Sequence, residues 1–306
     1  MSKSILRLRS MDAALRSFWR RGRSVERAAF VVGVGLLISG LIHLGILFIG
    51  GGSWEGPVSL RKAATFGLSF GVTLVTIVWV TSWLSLGERT RRMLLGTFAV
   101  ACVLETVLVS LQAWRGVPSH FNIETPFDSA IARTLAAGGF VLIVIIAAFV
   151  FAAFRSNPRP PASLRIAIQI GLVTLFASLA VGASMIAKGM RLVLAGAPRT
   201  AYATGGTLKP THFVTMHAIL VLPALAWLLS FANWSERRRV RVVLLGAAGY
   251  LVLAAGVAVE NVVEPAAWKT LGFALSMVGV LALTAAGLLA LAGVAGAPVA
   301  EGCRYD

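Results

Sequence analysis

Residues 135–154 read LAAGGFVLIVIIAAFVFAAF, twenty positions without a charge or a hydrogen-bonding side chain. A helix of roughly 20 such residues crosses the hydrocarbon core of a bilayer. This stretch lies within a longer apolar segment, 129–154, and seven others resemble it: 28–50, 64–86, 93–115, 164–187, 211–233, 242–263 and 269–294. Turn-forming and charged residues separate them, among them Gly51-Gly52, the arginine cluster of 87–92, Gly116 with Pro118, the prolines of 158–161 and the polar run 235–241. Only a few residues around Pro265 join the last two segments, so these must be antiparallel neighbours.

Composition leads to the same class. The 306 residues are 58% hydrophobic and 13% charged, with a mean hydropathy of +0.84. Soluble domains sit nearer 45–50% apolar and about 25% charged, which excludes a water-soluble globule. The apolar content excludes a disordered chain. Short alternating strands between turns are absent, so a β-barrel is excluded too. The expectation is an all-α, polytopic membrane bundle of eight transmembrane helices over 28–294, between a basic segment (1–27) and a short tail (295–306).

Orientation follows from Lys and Arg. Eight lie in 1–27, three in 87–92, three in 155–165, four in 236–241 and one at Arg304, together nineteen of the 28. The other nine are Arg61, Lys62, Arg115, Arg133, Lys188, Arg191, Arg199, Lys209 and Lys269. The positive-inside rule then makes both termini cytoplasmic in a multi-pass protein of the plasma (inner) membrane. The net charge of +16 therefore reports topology, and nucleic acid is not an expected partner. Trp54, Trp114 and Trp268 mark the outer interface, and Trp19, Trp83 and Trp234 the inner one.

The N-terminal stretch is no cleavable signal peptide, since the apolar run after it is too long and lacks a small-residue cleavage site. Leu8, Met11, Leu15 and Phe18 recur at helical spacing among Arg7, Arg9, Arg16, Arg20 and Arg21. That pattern suits a helix lying on the anionic cytoplasmic leaflet, with a solvated basic tail as the alternative. Cys102 and Cys303 fall too far apart for a disulfide or a CxxC motif. Phosphate-cradling loops, HExxH pairs and GxSxG elbows are missing.

An internal repeat is suggested by RKAATF at 61–66 against LKPTHF at 208–213, and by Glu105 and Glu260, each followed by a tryptophan eight or nine residues on. Two four-helix halves of equal orientation, a 4+4 parallel pseudo-repeat, would follow.

The unusual polar residues gather in the outer half. At ~1.5 Å per residue, His43 and His217 both lie about 10 Å below the outer interface, on different helices. Glu105 lies deeper with Gln112 on its face, Glu260 and Asn261 end span seven, and His120 and His212 lie nearer water. By contrast the acids of the inner side, Asp12, Glu26, Glu88, Glu236, Glu301 and Asp306, are placed in loops or tails. Intramembrane ionisable groups cost roughly 2.5–3.5 kcal/mol each on the insertion scale and mark sites or helix ties.

Three readings follow. The first is redox or metal-dependent chemistry at the outer face, with haem b or a transition metal ion on His43 and His217, helped by Glu105 and Glu260 and less by His120 and His212. In it Arg61, Lys62, Arg115 and Lys209 meet haem propionates or another anion, and Gly40, Gly67 and Gly71 admit the macrocycle or else pack helices. The second is a proton-coupled transporter or channel for a small solute, with Glu105 and Glu260 as proton relay. The third is an accessory subunit among other membrane subunits, its polar residues serving as ties. The segment 115–128 and the long, basic connection 188–210, with Tyr202 and Gly205-Gly206, are expected to be loops able to cover the outer end of the bundle.

Overall fold

The computed structural model describes residues 12, 16–262 and 266–296, those of 203–207 by backbone alone. It is helical throughout, with no strand among the described residues. Eight helices follow one another: α1 (Ser24–Ile49), α2 (Arg61–Ser82), α3 (Glu88–Trp114), α4 (Pro126–Ala153), α5 (Ala162–Leu194), α6 (Pro198–Leu229), α7 (Glu236–Val262) and α8 (Ala266–Gly296). All eight contain a stretch long and apolar enough to cross a membrane, in α6 Leu208–Leu229. The protein is a multi-pass helical bundle. Inner and outer below refer to the faces distinguished by the Lys and Arg count.

Large apolar side chains cover the outside, for example Phe140 at 66% exposure and Leu281 at 69%, as lipid-facing helices require. Inside, Leu74, Ile77, Leu95, Ile146, Phe149, Ile168, Leu172 and Leu222 belong to one continuous core. Three helix pairs pack most closely. In α1–α2, a Cβ on Gly67 would lie 2.6 Å from the Gly40 nitrogen, and one on Gly71 2.7 Å from the Leu37 nitrogen. In α7–α8, Gly249 meets Gly279 and Gly256 meets Gly272. In α5–α6, Gly171 accepts the Ile219 backbone. Gly40, Gly67 and Gly71 thus bring backbones together, the small-residue packing familiar in membranes, and leave no slot between α1 and α2 for a macrocycle.

Helices α1, α2 and α3 all touch one another, as do α5, α6 and α7, and α2 meets α6 between the two groups. A 4+4 arrangement requires these pairings, although α7–α8 interlock far more extensively than α3–α4.

Two expectations are corrected. The connection 188–210 is not a loop, because α5 runs to Leu194 and α6 starts at Pro198. Helices of 33 and 32 residues are about 50 Å long at ~1.5 Å per residue, well beyond a hydrocarbon core of about 30 Å. Their outer ends therefore form a helical hairpin beyond the apolar layer. Pro198 in the first turn, where a missing N–H costs nothing, starts α6.

The second correction concerns Glu26, expected in the solvated N-terminal segment. Helix α1 begins at Ser24, and Glu26 is buried in its first turn. Its carboxylate accepts the Arg23 N–H at 2.9 Å and pairs with Arg91 at 3.4 Å. Arg91, fully buried, also donates to the Thr81 carbonyl and, at 2.8 Å, to that of Leu84. Both carbonyls, at and just beyond the end of α2, also accept a backbone N–H, so Arg91 adds a second donor to each and ties the inner ends of α1, α2 and α3. Asn157 donates to the Trp83 carbonyl at 2.6 Å, and Glu236 caps α5 by accepting the Ser163 N–H at 2.7 Å. Helical backbone at 16–21 precedes α1, with Trp19 edge-on to Phe30 at 5.6 Å. Arg7, Leu8, Arg9, Met11, Leu15, Pro265 and the tail beyond Gly296, with Cys303, lie outside the described residues.

Candidate functional site

The histidines act first as hydrogen-bonding groups. His43 Nδ1–H donates to the Ser39 carbonyl at 2.8 Å, and its Nε2 accepts the Trp114 indole N–H at 3.0 Å. Indole can only donate, so the neutral Nδ1–H tautomer is fixed and both ring nitrogens are used. His212 bonds the Ser178 carbonyl at 2.8 Å while Ser178 donates to the His212 carbonyl, tying α5 to α6. His217 Nδ1–H donates to the Phe213 carbonyl on its own helix at 2.6 Å, its ring 4.1 Å from that of Phe213. Thus His43 is tied to α3 and His217 stays within α6. No group of three or more His, Cys, Asp or Glu able to hold a metal forms among the described residues.

The two intramembrane acids differ. Glu260 receives the Ser276 hydroxyl at 3.0 Å and packs on Gly272 of α8. Glu105 is 5% exposed and packs against Gly138 of α4, where only a hydrogen leaves room for its carboxyl. Its Oε1 is buried without a hydrogen-bond partner, and neither Lys62 nor Arg115 pairs with it. A buried carboxyl without donors is costly as an anion. It is suited to holding and releasing a proton.

Above it, the loop 115–125 is anchored by Asp128. Its carboxylate accepts from Gln112 at 2.9 Å, from Thr125 at 2.7 Å and from Arg115. Thr125 in turn caps α4 by accepting the Asp128 N–H at 3.1 Å. The Arg115 guanidinium lies 4.8 Å over the Phe127 ring. Arg115, expected to meet an anion, is therefore engaged by an internal one. Phe121 has φ 65°, an uncommon conformation for a bulky residue. Its ring fills the space beside Gly189 of α5 and holds the loop on the outer hairpin. Tyr202 of α6 faces the same side, and burial with Glu124 and Asp128 pushes its hydroxyl above the usual range.

Three of the expected cations remain at the outer rim. Arg61 pairs loosely with Glu55 at 3.4 Å, the latter mostly exposed. Lys62 feels the charges of Lys209 and Arg61, and among the described residues no carboxylate pairs with it. His120 lies beside it, its ring 5.7 Å from Phe66 and its Nδ1 2.9 Å from the Ser119 hydroxyl. Burial and the Lys62 charge push His120 down to about 4, so it is neutral at pH 7. Two buried donors near these groups in sequence, Asn122 Nδ2 and Thr211 Oγ1, have no partner among the described residues. The rim thus offers Lys62 with no paired carboxylate among the described residues, Glu55 lying toward Arg61 and Lys209, above a carboxyl without donors.

Comparison of the chain with protein-family models, curated proteins and solved structures gives no match. Two features of the outer end had no weight in the sequence reading. Asp128 was detectable, because Thr125-Pro126-Phe127-Asp128 ahead of an apolar run is a helix-start signature. The missing partners of Lys62 and Glu105 left no sequence signal at all.

Proposed function

We propose that this membrane protein binds a small anionic solute at its outer rim and moves it together with a proton carried by Glu105. The observation that carries the proposal is Lys62, half-buried beside Arg61, Lys209 and a neutral His120, with no carboxylate paired to it. A cation held among like charges is stabilised by an incoming carboxylate or phosphate, through charge-assisted hydrogen bonds that neutral pairs do not match. Glu105 supports the coupling, because a buried acid near the middle of a span is the usual form of a proton carrier. The ties at the inner end, Arg91 to Glu26 and Asn157 to the Trp83 carbonyl, would have to part for a solute to leave on that side.

The haem or metal reading has less support. His43 would have to give up its Trp114 partner, and the glycines around it are packed against backbone. The proposal is tested by thermal unfolding of the detergent-purified full chain with acetate, succinate, benzoate or inorganic phosphate, against chloride at equal ionic strength. At least one of the four should raise the midpoint saturably. Lys62→Gln should weaken that response about tenfold, a loss near 1.4 kcal/mol, and Lys269→Gln should not. Equal responses to chloride and to all four anions, or an unchanged Lys62→Gln response, would refute it.

A further inference from the structure

A separate cleft opens at the inner face, where the end of α6, the start of α7 and the last turns of α8 meet. Its volume is about 340 Å³, and Asn233, Trp234, Arg238, Leu289, Ala292 and Gly293 line it. The size is that of a small-ligand pocket. Its two walls differ in chemistry. Leu289 and Ala292 belong to a face of α8 whose neighbours Leu288 and Leu291 are exposed to the lipid layer. Opposite them, the Arg238 guanidinium carbon lies 3.8 Å from the centre of the Trp234 ring, which itself rests on Gly293.

That stack holds a planar cation in place, and among the described residues no acceptor takes its N–H groups. The nearby acid, Glu236, is committed to the Ser163 N–H and to Arg239. Arg239 also donates to the Ala232 carbonyl, so it faces away from the same role. Arg237, Arg238, Arg239 and Arg241 in the first turns of α7 are opposed by Glu236 alone among the residues of 236–241. Guanidinium matches phosphate oxygens in planar, two-pronged hydrogen bonds, and basic pockets at helix ends are where membranes present anionic headgroups.

We propose that this cleft binds one anionic phospholipid, its phosphate on Arg238 and Asn233 and an acyl chain along Leu289 and Ala292. Lipid occupancy is read by native mass spectrometry of the full chain released from nanodiscs of equal phosphatidylglycerol and phosphatidylcholine. The wild type should retain one phosphatidylglycerol in preference to phosphatidylcholine. Arg238→Gln should lower retention about tenfold, Arg238→Lys should lower it less, and Arg237→Gln, outside the cleft lining, should leave it unchanged. Ala292→Trp, which fills the cleft without touching a charge, should also displace the lipid, so the site is tested even if Arg238→Gln fails to fold. Equal retention of the two lipids, or equal losses in Arg237→Gln and Arg238→Gln, would overturn the proposal. So would retention only in a chain ending at Gly296, which would make the chain's own tail the occupant.

Discussion

His43 and His120 show how the same side chain is put to different uses by its surroundings. His43 is a tie between α1 and α3 through Trp114. Interhelical hydrogen bonds in membranes contribute about 1 kcal/mol, so Trp114→Phe should lower stability by about that much in thermal melts, and anion binding should survive. His120 is held neutral down to about pH 4 by burial and Lys62. Its folded-state value lies below its ordinary value near 6.5, so the unfolded chain takes up a proton first as pH falls. Stability from this group is therefore complete above about pH 6.5 and is lost progressively between 6.5 and 4. A pH series of melts should show that decline, and His120→Gln should flatten it. At this scale the sequence revealed which residues were unusual and at what depth. Their partners were not legible, because a tie such as Trp114 to His43 joins residues 71 positions apart.

Among the helices, close approach depends on particular glycines. A side chain on Gly67 would enter the α1 backbone, whereas one on Gly45 would meet nothing within 4 Å. Gly67→Leu should therefore cost about 3 kcal/mol, as overpacking does. Gly45→Ala should be neutral or stabilise by up to ~1 kcal/mol through helix propensity. Chemical unfolding of the two variants side by side checks the contrast. Helix number and order were legible because a bilayer imposes long apolar runs. The outer hairpin of α5 and α6 was not, since Lys188, Arg191, Arg199 and Gly205-Gly206 suit a solvated helix and a loop equally. The helices run past the apolar segments at several ends for the same reason, α3 starting at Glu88 and α7 at Glu236. Glu26 and Arg91 read as surface charge because charged residues flank every span, and their burial depends on how three helices meet.

For the molecule as a whole, the ends of α1, α2 and α3 are fastened on the inner side through Arg91 and Glu26, and Lys62 on the outer side has no paired carboxylate among the described residues. Arg91→Met takes from Glu26 the buried one of its two arginines, leaving Arg23 at 3.0 Å, and should cost about 1–3 kcal/mol, while the double change with Glu26→Leu should recover part of it. Melts of the two variants against wild type measure this. At the outer end, if transport is as proposed, anion binding at Lys62 and proton release from Glu105 are two steps, and each should fail when its own residue is replaced. The decisive measurement uses the full chain in vesicles loaded with a pH-sensitive dye, with the anion that stabilises it best added outside. Wild type should acidify the lumen on anion addition. Glu105→Gln should still bind the anion and carry no protons. Wild-type flux no faster than in protein-free vesicles, or Glu105→Gln flux equal to wild type, would contradict proton-coupled anion transport through this bundle.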